Sequence, residues 1–375
     1  MMMVMEQTHR GYDHLFVATV ILLTGAGLVT LYSASHAFAD RWYDNRLYLV
    51  VRQAVYAAIG FALFAAMTRI DIELFRMFIT PVVLFTLLLC ILPFFPVIGV
   101  HAGGAARWIR VGNWGFQPSE LVKFVLPVYL AHILEKKQDL IEYFRDGLMA
   151  PVVVTVLFFV VIYLQNDFST ALFITINALI MFFLAGIKLR YFISAAVMLF
   201  PVSALLIVTK EYRLLRVLAF IDPEFQPLDA GFQSDASEKA VRFGGLLGQG
   251  IGQGEWKIAS VPAIQSDFIF AAFAEEGGFI GVLIFLFCFG LFAFRGYRIA
   301  FSSPSLFGRL LCAGLVTTTI LQMLMNISVV ARVVPVTGVP LPFFSAGGSS
   351  LITTLVSAGC VANFSGRSAV RPVQL

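Results

Sequence analysis

Apolar runs of membrane-crossing length recur along the whole chain, near 14–34, 47–67, 75–97, 118–134, 147–164, 169–186, 191–209, 268–294, 307–330 and 349–364. A helix needs roughly 20 consecutive apolar residues to cross a hydrocarbon core of about 30 Å, and lipid satisfies no open backbone of any other kind. The pattern predicts an all-α polytopic membrane protein of about ten transmembrane helices, forming one unit over 1–375. Composition agrees: 59% of the 375 residues are apolar and 13% charged, against roughly 45–50% and 25% in soluble domains. The net charge of +4 gives no basis for a nucleic-acid partner and has a simpler source in basic loops beside the membrane. The first run lacks a small-residue cleavage pattern, so it is expected to remain as a span. Cys90, Cys288, Cys312 and Cys360 lie inside apolar runs without CxxC spacing and read as packing.

Ten spans put both termini on one side. Basic residues in short loops, among them Arg69, Arg76, Lys136, Lys137, Arg295 and Arg298, favour a cytoplasmic position for both. Besides a short loop near 35–46, four hydrophilic stretches then face outward: 98–117, 165–168, 210–267 and 331–348. The third of these is a long extracytoplasmic loop between the seventh and eighth helices.

Charges that enter apolar runs are expensive in hydrocarbon and mark functional candidates. Ala106-Arg107-Trp108-Ile109 precedes Gln117-Pro118-Ser119-Glu120, with Pro118 opening a helix and Lys123 about one and a half turns inside it. Lys123 either pairs with Glu120 at i, i+3 or meets an anionic headgroup or diphosphate. Arg52 is more isolated and reads as structural. The long loop opens on Arg213 and Arg216, passes Gln233, and reaches a glycine-rich segment over 244–254. Glycines let backbone approach a ligand and offer N–H groups to phosphate oxygens. The segment follows no strand, so the dinucleotide and P-loop motifs do not apply.

The loop ends at Ser266-Asp267-Phe268, and Glu275 and Glu276 follow in apolar sequence. On a continuous helix at about 100° per residue, only Glu275 shares the side of Asp267. Asp267 at the outer lip suits a general base whose pKa burial raises, or alternatively a cap for the eighth helix. The stretch from Pro335 to Ser350, which includes Ser345, is too rich in Pro and Gly for a helix yet mostly apolar. Such backbone is tolerated at membrane depth only where protein covers it or it lines a cavity, so it reads as a re-entrant wall. Asn326 reads equally as a helix–helix hydrogen bond or a ligand contact.

Through these residues, with Gln165 and Asp167, the chain resembles the SEDS family (shape, elongation, division and sporulation) of peptidoglycan glycosyltransferases, over essentially all ten spans. Tyr212-Arg213 to Phe220, Gly231-Phe232-Gln233 and Gly248 to Gly252 lean towards its division branch. The resemblance implies polymerisation of lipid II on the outer face of the cytoplasmic (inner) membrane during septal synthesis. Asp267 matches the family's catalytic aspartate, which takes the proton of the acceptor's 4-hydroxyl as undecaprenyl diphosphate leaves. Arg107, Lys123, Arg213 and Arg216 are candidates for the diphosphate charge, and Asp167, Gln233, Glu275 and Ser345 for further substrate contacts. A divalent cation (Mg2+ or Mn2+) held by Asp267 and the substrate's phosphates is implied, with no organic cofactor. A single-span class B penicillin-binding transpeptidase and other divisome proteins are the implied partners. Asn166, Ser266, Ala346, Gly277 and Ala259 depart from the family's common residues, and none of these is a charged group invoked for the chemistry. A lipid II flippase, a non-catalytic divisome scaffold and an elongation role are the competing readings.

Overall fold

A computed structural model of the chain describes residues 11–102, 105–112, 114–221, 230–254 and 264–366. The helices are α1 (His14–Tyr43), α2 (Tyr48–Met67), α3 (Ile72–Met77), α4 (Ile79–Ile91), α5 (Pro118–Lys136), α6 (Met149–Leu164), α7 (Phe168–Leu184), α8 (Leu189–Val208), α9 (Glu211–Ile221), α10 (Ala230–Gly244), α11 (Ile269–Ser302), α12 (Leu306–Val330) and α13 (Gly348–Ser365). Local chemistry sets several of their starts. Asp13 caps α1 by accepting from Phe16 N, Asp167 caps α7 by accepting from Thr170 N, and Ser305 caps α12 by accepting from Gly308 N. Pro118 opens α5, where a missing N–H costs nothing.

Among the described residues, six helices are long and apolar enough to cross a membrane: His14–Tyr43, Tyr48–Met67, Phe144–Leu164, Leu189–Val208, Ile269–Ser302 and Leu306–Val330. The chain is a multi-pass helical membrane protein. α12 is the most enclosed of these six and packs on α5, α7, α11 and α13, while α13 packs chiefly on α2, and α1 on α11. α8 buries no residue, as suits a helix whose surroundings are lipid.

Four expectations need correction. The fold is not purely helical, because 99–116 forms an antiparallel sheet of β1 (Gly99–Ala102), β2 (Ala105–Val111) and β3 (Trp114–Phe116). The run Arg-Trp-Ile-Arg-Val favours strand, and Gly112 at φ +60 permits the turn into β3. The region 210–267 is not simply a loop, since α9 and α10 occupy much of it. The third apolar run is divided into α3, α4 and a 3-10 turn at Leu92–Phe94 that contains Pro93. Finally, α11 starts only at Ile269, so Asp267 lies outside it and helical angles carried from Asp267 to Glu275 do not hold; beyond Glu275, α11 is broken at Gly278 (φ 60, ψ −165). Irregular backbone over 331–347 agrees with the expected wall.

Candidate functional site

Asp267 lies in the turn 264–268 that precedes α11, partly exposed. It does not cap that helix, whose N-cap residue is Phe268 with no side-chain hydrogen bond. Three backbone contacts fix the turn instead. Ala346 N donates to Gln265 O at 2.9 Å, Ser345 Oγ donates to Ser266 O, and Asn326 Nδ2 donates to Asp267 O at 2.8 Å. Asn326 also donates to Val339 O at 2.9 Å, and Ser345 Oγ accepts from Leu341 N at 2.8 Å. The buried polar residue of α12 therefore donates from its amide to irregular backbone rather than into a helix–helix hydrogen bond. It is a clamp joining the Asp267 turn to the wall.

Around Asp267 stand Arg107 from β2, Arg216 from α9 and Asp167 from the α6–α7 hairpin. Burial raises the Asp267 carboxyl above its ordinary pKa, Arg107 and Arg216 pull it back down, and Asp167 pushes it up. Arg107 Nη1 lies 3.6 Å from Asp167 Oδ2, which also accepts from Gln117 Nε2 at 3.2 Å. Arg216 Nη1 donates to Val336 O at 3.3 Å, which joins α9 to the wall. Four charges from four segments thus converge at one place: two arginines and two carboxylates, with Asp267 set deep enough for its ionisation to be costly.

The remaining candidates are engaged elsewhere. Lys123 is buried, with Nζ 2.7 Å from Glu120 Oε1 and 3.3 Å from Gln322 Oε1, and 5.2 Å from the Phe173 ring centre. Of its two readings the fold adopts the pair with Glu120. Arg213 is buried over the rings of Tyr163 and Phe168 at 4.6 and 5.2 Å, and donates to Leu206 O. Its guanidinium is a packing element between helices rather than part of the four-charge cluster. Glu275 is fully buried, and a Cβ on Gly254 would meet its carboxyl group, so it faces the glycine-rich segment and not Asp267. Several N–H groups of that segment are also engaged: Gln249 N and Gly250 N donate to Glu275 O and Glu276 O, and Gly252 N to the Glu276 carboxylate. Gln233 falls in α10, its side chain outside the described residues; Ala259 lies outside them altogether. Ser345 acts on the turn, not at the opening.

A chamber of about 540 Å³ lies on the other side of β2. Adjacent strand residues point to opposite faces: Arg107 meets Asp167, whereas Trp108 and Arg110 line this chamber with Arg52, Gln53, Tyr48, Tyr56 and the wall residues Ala346 to Gly348. Among the described residues Arg52 meets an aromatic hydroxyl and ring, its Nη2 lying 3.3 Å from Tyr56 Oη. Sharing Tyr56 and Gly115 with it is an apolar groove of about 350 Å³ lined by Ile59, Leu63, Leu121, Phe124, Ile352 and Val356. Arg52 read as structural in the sequence because its surroundings are assembled from α2, the sheet and the wall, which are far apart in the chain. The hint that could have found it was a tyrosine on either side at four-residue spacing. Among the described residues no three His, Cys, Asp or Glu side chains converge as a metal cage.

A family model described as cell cycle protein, covering FtsW, RodA and SpoVE, matches residues 13–369. A Geobacter sulfurreducens protein named Probable peptidoglycan glycosyltransferase FtsW is 39% identical over 356 residues, 95% of each chain. Stage V sporulation protein E of Bacillus subtilis is 34% identical over 353 residues, 94% of this chain and 96% of its own. A chain of a peptidoglycan synthase complex that coordinates polymerization and crosslinking superposes with a TM-score of 0.80 at 29% identity, over 94% of this chain and 97% of that one.

Proposed function

The chain belongs to the FtsW/RodA/SpoVE family of cell cycle proteins, and from that premise we propose that Asp267 is the general base of a lipid II polymerase acting at the septum. The protein is a peptidoglycan glycosyltransferase. The observation that carries the assignment of the base is the convergence of Arg107, Arg216 and Asp167 on a partly exposed carboxyl whose pKa burial raises. A raised pKa makes a carboxylate a better proton acceptor near neutral pH.

The acceptor sugar's 4-hydroxyl gives its proton to Asp267 while its oxygen forms a bond to the anomeric carbon of the lipid-linked donor. The bond from that carbon to the diphosphate oxygen breaks, and its electron pair leaves with undecaprenyl diphosphate. Arg107 and Arg216 stabilise the charge that develops there. The chamber bearing Arg52, Arg110 and Trp108, continuous with an apolar groove, suits one of the two amphiphilic substrates, with headgroup above and chain below. A divalent cation, Mg2+ or Mn2+, would be held by Asp267 and substrate oxygens, because Asp167 is already engaged by Arg107, Gln117 and Thr170 N. When bound, such an ion would supply further positive charge to the leaving diphosphate.

In this reading ten spans place both termini in the cytoplasm and Asp267 on the outer face of the inner membrane. The basic short loops support that orientation. A division role is supported by the relatives named FtsW. A class B penicillin-binding transpeptidase within the divisome is the proposed partner, supported by the likeness to a chain of a peptidoglycan synthase complex.

The test gives purified protein, alone and with a class B transpeptidase, lipid II and a divalent cation, and resolves glycan chains on a gel. Wild type yields polymer, and Asp267→Ala and Asp267→Asn at matched expression yield none. Polymer from both variants removes Asp267 from the mechanism, and its absence from every wild-type preparation favours a flippase or scaffold.

A further inference from the structure

The glycine-rich turn 245–254 has no part in the four-charge cluster, yet it is held with unusual closeness. Phe279 N donates to Gly245 O at 2.9 Å, Ile280 N to Leu246 O at 3.2 Å, Gln249 N to Glu275 O at 3.0 Å and Gly250 N to Glu276 O at 3.1 Å. These bonds seat the turn in the break of α11. The approach is so tight that a Cβ on Gly278 would collide with Gly248 N, and one on Gly248, at φ +80, with Glu276 O. Bonded to the flank of a membrane helix, the turn sits at a height that the helices themselves measure.

Two rulers give that height. At the far end of the bundle Asp13 and Arg295 form an ion pair at 2.6 Å, which marks one edge of the hydrocarbon. Along α1, Ser33 lies about twenty residues from Asp13, or ~30 Å at 1.5 Å per residue, and its hydroxyl donates to the Glu276 carboxylate. Along α11, Gly278 lies about seventeen residues from Arg295, or ~26 Å. Both distances equal, within a helical turn, the roughly 30 Å thickness of the core. The break and its turn therefore stand at the opposite hydrocarbon boundary, on the side of Asp267.

At that boundary the turn presents Leu246, Leu247 and Ile251, exposed by 65, 76 and 73%. Directly beneath them Phe279, Ile280, Leu283, Ile284 and Phe287 continue an exposed apolar face along α11. We propose that the turn is a membrane wedge, with Leu246, Leu247 and Ile251 inserted among the acyl chains of the leaflet on the Asp267 side. Continuity with an exposed apolar side of a spanning helix, at the height of the hydrocarbon boundary, selects lipid as the occupant. The wedge also has a mechanical consequence. α10 runs directly into the turn, and its Glu238 and Asp235 reach Arg332 at 3.1 and 4.0 Å, at the start of the wall that clamps the Asp267 turn. Insertion would hold that wall at a fixed height above the lipid.

The experiment places a photoreactive benzoylphenylalanine at 247 of the full-length chain in native membranes, irradiates, and reads the products by intact mass and gel mobility. A phospholipid-mass adduct at 247, reduced when Leu246→Ser and Ile251→Ser are added, is the expected result. A polypeptide adduct, whether with a second copy or with a single-span partner, overturns the proposal, as does a probe that gives no adduct. The mechanical consequence has its own readout. The Leu246→Ser/Leu247→Ser/Ile251→Ser variant should lose polymer yield in vesicles while keeping the wild-type yield in detergent, and equal yields in both media would remove it.

Discussion

Lys123 and Arg107 carry the same expected role in the sequence, as cations for a diphosphate, and the fold treats them in opposite ways. Lys123 and Glu120 have side chains exposed by only 3 and 4% and lie 2.7 Å apart, with Gln322 and the Phe173 ring completing the surroundings of the ammonium. Arg107 keeps 32% of its side chain exposed, sits 3.6 Å from Asp167, and has a buried Nε without a hydrogen-bond partner among the described residues. A closed pair cancels its own field and leaves nothing for a ligand. An open cluster of two arginines and two carboxylates cannot satisfy every member at once, so part of its field extends to whatever enters. Closure makes a strut of one set of charges and incompleteness makes a reagent of the other.

Substitution on the two sides should therefore fail in different currencies. Asp267→Asn should remove most of the rate, on the scale of the roughly 10²–10⁴-fold that a positioned general base contributes, in a polymerisation assay. Its thermal midpoint should not fall, because burial disfavours the ionised carboxylate and the amide never ionises. Lys123→Met should do the reverse. An uncompensated Glu120 in the bundle is worth about 3–5 kcal/mol of lost stability, seen as a lowered midpoint and reduced folded yield, while the folded fraction polymerises normally. The Glu120→Gln/Lys123→Met pair should recover most of that loss. A double variant that is stable but inactive would break the distinction and return Lys123 to the substrate site.

Ser345→Ala falls between these extremes. It leaves the Ser266 carbonyl and the Leu341 N–H short of a partner, a cost of about 1–3 kcal/mol for buried groups. Because the turn that loosens carries Asp267, the effect should appear mainly in kcat, with KM for lipid II little changed. A pure KM effect would mean that Ser345 touches substrate after all.

The apolar runs were legible because a span is a local property: hydrocarbon thickness fixes its length, and each run announces itself without reference to any other. Asp267 was legible for a related reason, as a carboxylate standing at the edge of such a run. What assembles across the bundle was not. The glycines of 244–254 suggested phosphate binding because N–H groups exposed in sequence look available, whereas their acceptors, Glu275, Glu276 and the carbonyls at the α11 break, become partners only after the region folds back. Glu275 was misjudged through an assumed helix running from Asp267, whereas the chain over 264–268 is a turn and α11 starts only at Ile269. Arg52 gained a role only when β2, α2 and the wall enclosed a chamber around it.

The finest probe of the contrast is pH. If Asp267 acts as base, polymerisation rises with pH as its carboxyl deprotonates, and the acid limb of the profile reports that pKa. Burial raises the pKa, while Arg107 and Arg216 oppose the rise. Arg216→Gln removes one of the two opposing charges, so the pKa climbs further and the acid limb moves to higher pH. The variant should lose more activity on the acid side than on the basic side, where Asp267 is ionised in both proteins. The Glu120→Gln/Lys123→Met pair, which removes both members of a mutually cancelling pair, should leave the limb where wild type has it. A limb that the Glu120→Gln/Lys123→Met pair moves as far as Arg216→Gln does would mean that the closed pair acts on Asp267 after all, and an unmoved limb in Arg216→Gln would detach the arginine from the base.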